Sequence, residues 1–286
     1  MYSVVKVDLV IWTLNGEATI TRCLDSIEKA VPPSVVCHRY LIDGGSVDAT
    51  QDIARKFGWT VAVAWKRGIP FQANQALKLV DAPVFASFEQ DVGLNPAWFS
   101  ALMPRLLSQP EVAVVQGLRA AAGSRYLEAI DGYVVRHGLV PAWVYSIDNN
   151  LYRTEAVRSV GGFPEDFPMS TDGALRNNLF RKGWKWRVYN DMVSRHYRDS
   201  FVGQMRHSVM QTAVGKVLWE TYPEYPAASK FGRLLATPIT GARMASEAHC
   251  PGVFVGYPLL RLVKVIGRLV GSLSKEYRWI EVRSQS

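Results

Sequence analysis

Apolar and polar residues alternate with two different periods along the first ninety positions. Val4–Trp12 is a nearly continuous apolar run rich in β-branched residues, which is typical of a strand buried on both faces. Ala18–Ala30 then carries its apolar residues at helical spacing until two prolines follow. The same succession continues with predicted strands over Val35–Ile42, Trp59–Trp65 and Val84–Phe88, and predicted helices over Val47–Phe57 and Phe71–Val80. Repeated strand–helix alternation predicts a parallel sheet with right-handed crossovers.

Beyond residue 91 the alternation is less regular. The pattern there predicts further helices over Pro96–Leu107, Ser124–Arg136, Thr171–Lys182 and Phe201–Tyr222, and strands over Val112–Gln116, Val144–Arg153 and Lys185–Tyr189. The sequence contains no internal repeat and no long linker. We therefore expect an α/β domain over 1–200, with a mostly parallel Rossmann-type sheet flanked by helices, and a helical C-terminal extension over 201–286.

The composition is that of a folded globular protein, with 48% hydrophobic and 20% charged residues. The 3 cysteines are widely spaced and form no CxxC pair, which excludes a zinc ribbon or a disulfide scaffold and favours a reducing compartment. Lys6 and Asp8 interrupt the apolar start, so it does not resemble a signal peptide. With no uncharged run of about 20 residues either, we expect a cytoplasmic protein without membrane spans.

The net charge of +8 is concentrated towards the C-terminal end, which indicates an anionic partner there. No zinc-finger spacing or RRM-like motif points to nucleic acid. Val253–Ser274 places Arg261, Lys264 and Arg268 on one helical face and apolar residues on the others. This pattern favours an amphipathic helix on an anionic membrane surface. The alternative is a helix packed on the catalytic domain or in a dimer.

Polar residues follow the ends of three predicted strands. The first strand ends in Thr13-Leu14-Asn15-Gly16-Glu17, the second in Asp43, and the fourth in Glu89-Gln90-Asp91. Carboxylates at one sheet edge repel each other, and a divalent cation such as Mg²⁺ or Mn²⁺ removes that repulsion and can hold a diphosphate. A phosphate loop GxxxxGK[ST] and a GxGxxG fingerprint are both absent, so glycine-rich phosphate binding is not expected.

Several motifs occur in an order and spacing that carry more information than any one of them. They are the segment Cys23–Ile27 (CLDSI), LIDGGSVDAT over Leu41–Thr50, the stretch Gly68–Ala76, EQD at Glu89–Asp91, NLYR at Asn150–Arg153, VGGF at Val160–Phe163, Thr171-Asp172, and His196. In this order they resemble the family-two inverting glycosyltransferases of GT-A fold, with the likeness spread from about residue 4 to residue 200.

The resemblance implies site residues position by position. It implies a nucleotide pocket formed by Thr13, Asn15, Glu17, Asp43, Gly68, Asn74 and Gln90. It also implies a site for Mn²⁺ or Mg²⁺ formed by Asp91, Glu89 and His196, with Asp172 as the general base. The implied activity is metal-dependent, inverting transfer of a sugar from a UDP- or GDP-sugar to an acceptor hydroxyl, on a lipid-linked acceptor or a glycan.

Two positions depart from the family pattern. Glu89 stands where the metal motif usually has Asp, and its longer side chain can still reach a cation. Thr171 stands where Glu usually precedes the base, so the carboxylate that orients Asp172 is missing. A QxxRW motif is absent, which argues against a processive polysaccharide synthase.

Each candidate residue also has a purely structural interpretation. Asp43 and Asp48 are suited to a turn and a helix N-cap, and Asp172 to the N-cap of the helix that follows it. Glu89 and Asp91 are alternatively residues of a solvated loop, and His196 a structural histidine.

Two other functions remain open from the residues alone. One is a nucleotidyltransferase that makes the sugar nucleotide, although the loop over residues 13–17 has none of the basic residues typical of that class. The other is a non-catalytic membrane-surface protein.

Overall fold

The structure, a computed structural model, describes residues 5–140, 145–167, 170–198, 200–221 and 236–273. Within these residues one sheet has the strand order β3-β2-β1-β4-β7-β6-β8-β5. Its strands are β1 (Val7–Thr13), β2 (Val36–Asp43), β3 (Thr60–Val63), β4 (Val84–Glu89), β5 (Val92–Gly93), β6 (Val112–Ala122), β7 (Asn150–Arg153) and β8 (Lys185–Tyr197).

The strands β1 to β4 form the parallel half of this sheet, as the alternating pattern predicts. β1 pairs in parallel with β2 and with β4, and β2 pairs in parallel with β3. The register aligns Thr13 with Asp43 and Trp12 with Glu89, so the carboxyl ends of β1, β2 and β4 share one edge. The pairs β4 with β7, β6 with β7 and β5 with β8 are antiparallel, so the sheet is mixed rather than parallel throughout.

Helices occur between these strands and after the last of them. In the described residues they are α1 (Glu17–Ala30), α2 (Thr50–Lys56), α3 (Ile69–Leu79), α4 (Trp98–Leu107), α5 (Arg125–Arg136), α6 (Thr154–Ser159), α7 (Thr171–Arg181), α8 (Phe201–Thr221), α9 (Thr237–Glu247) and α10 (Val253–Leu273). Alternate residues of β1 serve two cores: Leu9 and Ile11 pack with α1, α2 and α4, whereas Val10 and Trp12 pack with α3, α6 and α7.

Of the predicted strand over Val144–Arg153, Val144 lies outside the described residues and the prediction is wrong for residues 145–149. Only Asn150–Arg153 forms a strand, because Asn149 has a φ of 62°, a left-handed conformation that ends an extended run. In contrast, β8 continues to Tyr197, eight residues past its predicted end at Tyr189, and the two-residue strand β5 has no signal in the pattern.

The chain divides into two compact units, residues 1–119 with 144–197 and residues 120–143 with 198–286. The second unit has its own core, in which Ile130 and Tyr133 of α5 lie in one cluster with Met244 of α9 and Leu260 of α10. Helix α5, which lies within the predicted domain over 1–200, thus packs with α9 and α10 of the second unit. Among the described residues, no helix combines the length and apolarity that crossing a membrane requires.

Candidate active site

The pairing of β5 with β8 builds a small cluster of acidic and imidazole groups. Val92 pairs with His196, and the Tyr197 amide donates to the Asp91 carbonyl at 2.8 Å. This register brings His196 Nε2 to 3.0 Å from Asp91 Oδ2. Glu89, at the end of β4, completes the group, and one donor atom from each of the three residues lies within 4.8 Å of the others. The structure thus brings together the three residues that the sequence nominated for metal binding.

This cluster is compatible with a divalent cation. Two carboxylates provide hard oxygen ligands and His196 provides an imidazole nitrogen, a donor set suited to Mn²⁺ and acceptable to Mg²⁺. His196 is buried, whereas the side chains of Glu89 and Asp91 are 23% and 29% exposed, so a ligand can reach the cluster from the carboxylate side.

An arginine and an aspartate that the sequence did not single out extend the cluster. Arg119 Nη1, from β6, lies 2.8 and 2.9 Å from the two carboxylate oxygens of Asp148 and 3.4 Å from Glu89 Oε2. Burial alone would lower the pKa of Arg119, but Asp148, Glu89, Asp91 and Asp172 together raise it. Arg119 is therefore a fixed positive charge among the carboxylates of this site.

Asp172 lies in the first turn of α7, in the same electrostatic environment. The N-cap of that helix is Ser170, so Asp172 is not the capping residue. Burial raises the pKa of Asp172 to about 6, while the Gly173 amide and Arg119 lower it and Asp148 raises it further. A carboxyl group with a pKa near 6 is mostly ionised at neutral pH and can accept a proton there.

Asp43 holds the loop that follows β2. Its fully buried carboxylate accepts hydrogen bonds from the amides of Gly45 and Ser46 at 2.9 and 2.7 Å and from the side chains of Thr13 and Gln51 at 3.1 and 2.9 Å. These contacts match the turn interpretation of Asp43. Its contact with a nucleotide stays a prediction.

Asn15 and Glu17 join the first loop at this edge to the second. The Asn15 amide donates to Ser46 Oγ at 2.8 Å, and Asn15 Oδ1 accepts from the Val47 amide at 3.1 Å. Glu17 Oε2 accepts from the Ala49 amide at 3.3 Å. Both side chains are exposed, so they lie at the surface of the joined loops.

Gln90 fixes the same loop from the β4 side. Its side-chain amide exchanges two hydrogen bonds with the backbone of Leu14, at 2.8 and 3.1 Å. A Cβ at Gly16 would lie 2.5 Å from Gln90 Oε1, which explains why glycine occupies position 16. The edge that the sequence predicted to hold the nucleotide is therefore one hydrogen-bonded network from β1 to β4.

The predicted pocket residues on α3 divide between two places. Gly68 precedes the helix with a φ of 123°, which favours glycine, and Gln72, which the sequence did not single out, donates to the carbonyls of Thr13 and Ile42 at 2.9 and 2.8 Å. Asn74 instead bonds both amide and carbonyl of Phe163, at 2.7 and 2.8 Å. The structure thus connects Asn74 to the loop before α7, and its place beside a nucleotide stays a prediction.

The sequence matches a known protein family over about half of its length. The model of the family "Glycosyl transferase family 2" matches residues 8–160. No curated protein sequence matches the chain.

Solved glycosyltransferase structures resemble this one. A mannosyltransferase from Pyrobaculum calidifontis, in complex with GDP-Man and Mn²⁺, has a TM-score of 0.61 at 19% identity over 96% of this chain and 82% of that one. Glucosyl-3-phosphoglycerate synthase from Mycobacterium tuberculosis, with Mn²⁺, UDP and glucosyl-3-phosphoglycerate, has a TM-score of 0.56 at 18% identity over 78% and 81%. TarS 1–349 from S. aureus has a TM-score of 0.54 at 15% identity, over 93% of this chain and 90% of that one. These likenesses confirm the GT-A fold expected from the sequence.

Removing one carboxylate from the metal cluster should weaken cation binding. We expect Asp91→Asn to lower the affinity for Mn²⁺ at least about tenfold, because an amide oxygen carries no charge to offset that of the cation. Titration of the nucleotide-free protein with Mn²⁺, followed by electron paramagnetic resonance, measures this. The exposed Glu28→Gln on α1 is the matched control. Equal Mn²⁺ affinity in wild type and Asp91→Asn would show that the cluster is not the cation site.

Proposed function

This chain belongs to glycosyl transferase family 2, and on that premise we propose that it transfers a sugar from a nucleoside-diphosphate sugar to an acceptor hydroxyl with inversion at the anomeric carbon. The observation that supports this most directly is the proximity in one unit of a cation-compatible cluster, Glu89, Asp91 and His196, and a carboxyl group of raised pKa, Asp172. The similar structures that contain GDP-Man or UDP together with Mn²⁺ support a UDP- or GDP-sugar as donor.

In this proposal Asp172 is the general base. Its carboxylate takes the proton of the acceptor hydroxyl as that oxygen attacks the anomeric carbon, and a single displacement inverts the configuration. The Gly173 amide, which donates to Asp172 Oδ1 at 2.8 Å, fixes the orientation of the carboxylate. Burial raises the pKa of Asp172 towards neutral pH, which makes it a stronger base than an exposed aspartate.

The joined loops at the carboxyl ends of β1, β2 and β4 form the donor side. Asn15, Glu17 and Gln90 are the side chains through which we propose that the nucleotide is held, with Thr13 and Asp43 fixing the loop beneath them. A divalent cation held by Glu89, Asp91 and His196 would offset the negative charge that develops on the leaving nucleoside diphosphate.

The surface of α10 supports a membrane-bound acceptor. Six apolar side chains at helical spacing are 39% to 65% exposed along this helix: Phe254, Val255, Leu259, Leu262, Ile266 and Leu269. The opposite side packs within the second unit, where a Cβ at Gly267 would lie 2.5 Å from the Val209 carbonyl of α8. Arg261, Lys264 and Arg268 are half-buried, and burial lowers the pKa of Lys264 and of Arg268. The exposed side of the helix is therefore apolar.

We propose that this apolar stripe rests on an anionic membrane surface and brings the enzyme to a lipid-linked acceptor. Soluble proteins rarely expose so continuous an apolar strip, and a bilayer interface is a partner that suits it. The basic surplus of the C-terminal part of the chain attracts the same partner.

A nucleoside diphosphate should stabilise the protein only together with a metal. In a thermal-unfolding panel of UDP, GDP, UDP-glucose and GDP-mannose, with and without Mn²⁺, we expect at least one nucleotide to raise Tm when Mn²⁺ is present. Saturation at 100 times Kd corresponds to about 2.7 kcal/mol of added stability. The Asp91→Asn variant should lose the shift. Absence of any metal-dependent shift across the panel would contradict the proposed function.

Asp172 should control the acidic side of the pH–rate profile. Because the base must be ionised, turnover should rise with pH and reach half its maximum near pH 6. Asp172→Asn should retain the Mn²⁺-dependent thermal shift but lose about 10²–10⁴-fold in turnover, measured as release of the nucleoside diphosphate. The matched control is Asp166→Asn, which changes an exposed aspartate of the same unit. A variant Asp172→Asn with wild-type turnover would exclude Asp172 as the base.

Two substitutions on α10 should release the protein from membranes. Leu262 and Ile266 are 46% and 43% exposed, so changing both to Ser should preserve the fold. We expect the double variant to lose at least about tenfold in co-sedimentation with phosphatidylcholine–phosphatidylserine vesicles. Leu107→Ser on α4, which is 42% exposed, is the matched control. Unchanged sedimentation, or conversion of a wild-type dimer into a monomer by light scattering, would overturn the membrane proposal.

A further inference from the structure

Arg119 and Asp148 form an ion pair inside the candidate site. The two oxygens of Asp148 lie 2.8 and 2.9 Å from Arg119 Nη1, and the Asp148 side chain is 1% exposed. A carboxylate so well buried is stable only with a partner of opposite charge. Arg119 also reaches Glu89 Oε2 at 3.4 Å, so one guanidinium contacts a buried aspartate and a residue of the metal cluster.

The pair also lies where its charges act on Asp172. Arg119, on β6, lowers the pKa of Asp172, and Asp148, in the segment before β7, raises it, beside the larger effects of burial and of the Gly173 amide. The two members of the pair therefore act on the same carboxyl group in opposite directions.

We infer that Arg119 and Asp148 are a positioning pair that holds Glu89 at the metal cluster and sets the electrostatic environment of Asp172. This inference rests on the proposed role of Asp172 as the base. Neither residue is given a direct contact with the reacting atoms: Arg119 acts through Glu89 and Asp172, and Asp148 acts through Arg119. The pair also places a carboxylate near Asp172 in a chain where Thr171 stands at the position that usually carries one.

The test compares the wild type with two variants that remove the charges of the pair one after the other. Asp148→Asn removes the negative charge but keeps the shape of the side chain, and Asp148→Asn with Arg119→Met then removes the positive charge as well. Asp148→Asn should move the titration of Asp172 to lower pH. Adding Arg119→Met should move it back to higher pH, because the attraction of the guanidinium for the carboxylate is lost.

The first readout needs no activity. A carboxyl group whose pKa is raised in the folded state loses stabilising free energy as pH rises from its unfolded pKa to its folded one. The difference in urea midpoint between each protein and its Asp172→Asn counterpart should therefore fall with pH and level off near pH 6 in the wild type. In Asp148→Asn this difference should level off at a lower pH than in the wild type. In the double variant it should level off at a higher pH than in Asp148→Asn.

The second readout is the acidic side of the pH–rate profile, measured with whichever donor of the panel the wild type turns over. The midpoint of this acidic limb should move to lower pH in Asp148→Asn and back to higher pH in the double variant. The Mn²⁺ affinity of the double variant, measured without nucleotide, should differ from that of Asp148→Asn by at least threefold, because Glu89 has lost its guanidinium partner. A merely structural role would lower stability and turnover but would not move the titration in opposite directions.

The ion pair of Arg105 with Asp191 provides the matched control. Its oxygen–nitrogen distances are 2.8 and 2.5 Å, and its members lie on α4 and β8 of the same unit. Asp191→Asn, alone and with Arg105→Met, should leave the titration of Asp172 unchanged. Should Asp148→Asn not fold, Arg119→Lys against Arg119→Gln gives the same comparison, with the Asp172 titration at lower pH in the lysine variant.

The outcomes separate this inference from the proposed function. If the nucleotide panel fails but the urea midpoints move as described, the pair sets the environment of Asp172 and the transfer reaction is wrong. If the wild type turns over a donor but the midpoints and the pH–rate profile do not move, or move in one direction only, the pair is structural and the inference is overturned.

Discussion

Carboxylates gathered at one edge of a sheet repel each other, and the arrangement of the first unit follows from how that repulsion is offset. Glu89, Asp91, Asp148 and Asp172 all act on the guanidinium of Arg119, and their combined charge outweighs the burial that would otherwise lower its pKa. The chain thus supplies one positive charge of its own beside Asp148. On the other side, Asp91 and His196 lie 3.0 Å apart in a cluster whose donor atoms suit a cation. Two positive charges therefore offset the carboxylates of this site: the permanent charge of Arg119 and that of an exchangeable divalent cation at the cluster.

The two halves of the sheet contribute different parts of this balance. The parallel half aligns Thr13, Asp43 and Glu89 at one edge, where hydrogen bonds join the loops into a single surface. The antiparallel half brings in residues distant in the sequence, since β8 must extend to His196 for β5 to pair with it. The joined loops of the parallel half and the cation-compatible cluster are thereby set side by side within one unit.

The features that the sequence predicts well are those that a local pattern of apolar and polar residues determines. The parallel strands, and the Glu89–Asp91 motif after β4, follow from periodicity and from their position at strand ends. The pattern does not single out Asp148, because Asn149 adopts a left-handed conformation within a segment that looks like a strand. Arg119 carried a usable signal, since it is the one charged residue of β6, which implies a buried acidic partner but not its identity. The exposed side of α10 could not be read from its pattern either, because an apolar face packs equally well on protein or lipid.

Thr171 shows how the loss of one carboxylate fits this site. Its hydroxyl donates to the Phe167 carbonyl at 2.7 Å and so fixes the start of α7, on which Asp172 lies. A glutamate there would add a further negative charge beside a carboxyl group whose pKa burial and Asp148 already raise. With threonine, the first turn of α7 keeps its orientation through a neutral hydrogen bond, and Asp148 supplies a nearby negative charge that Arg119 partly compensates. In this chain the carboxylate that acts on Asp172 therefore comes from the segment before β7 and not from the preceding residue of the helix.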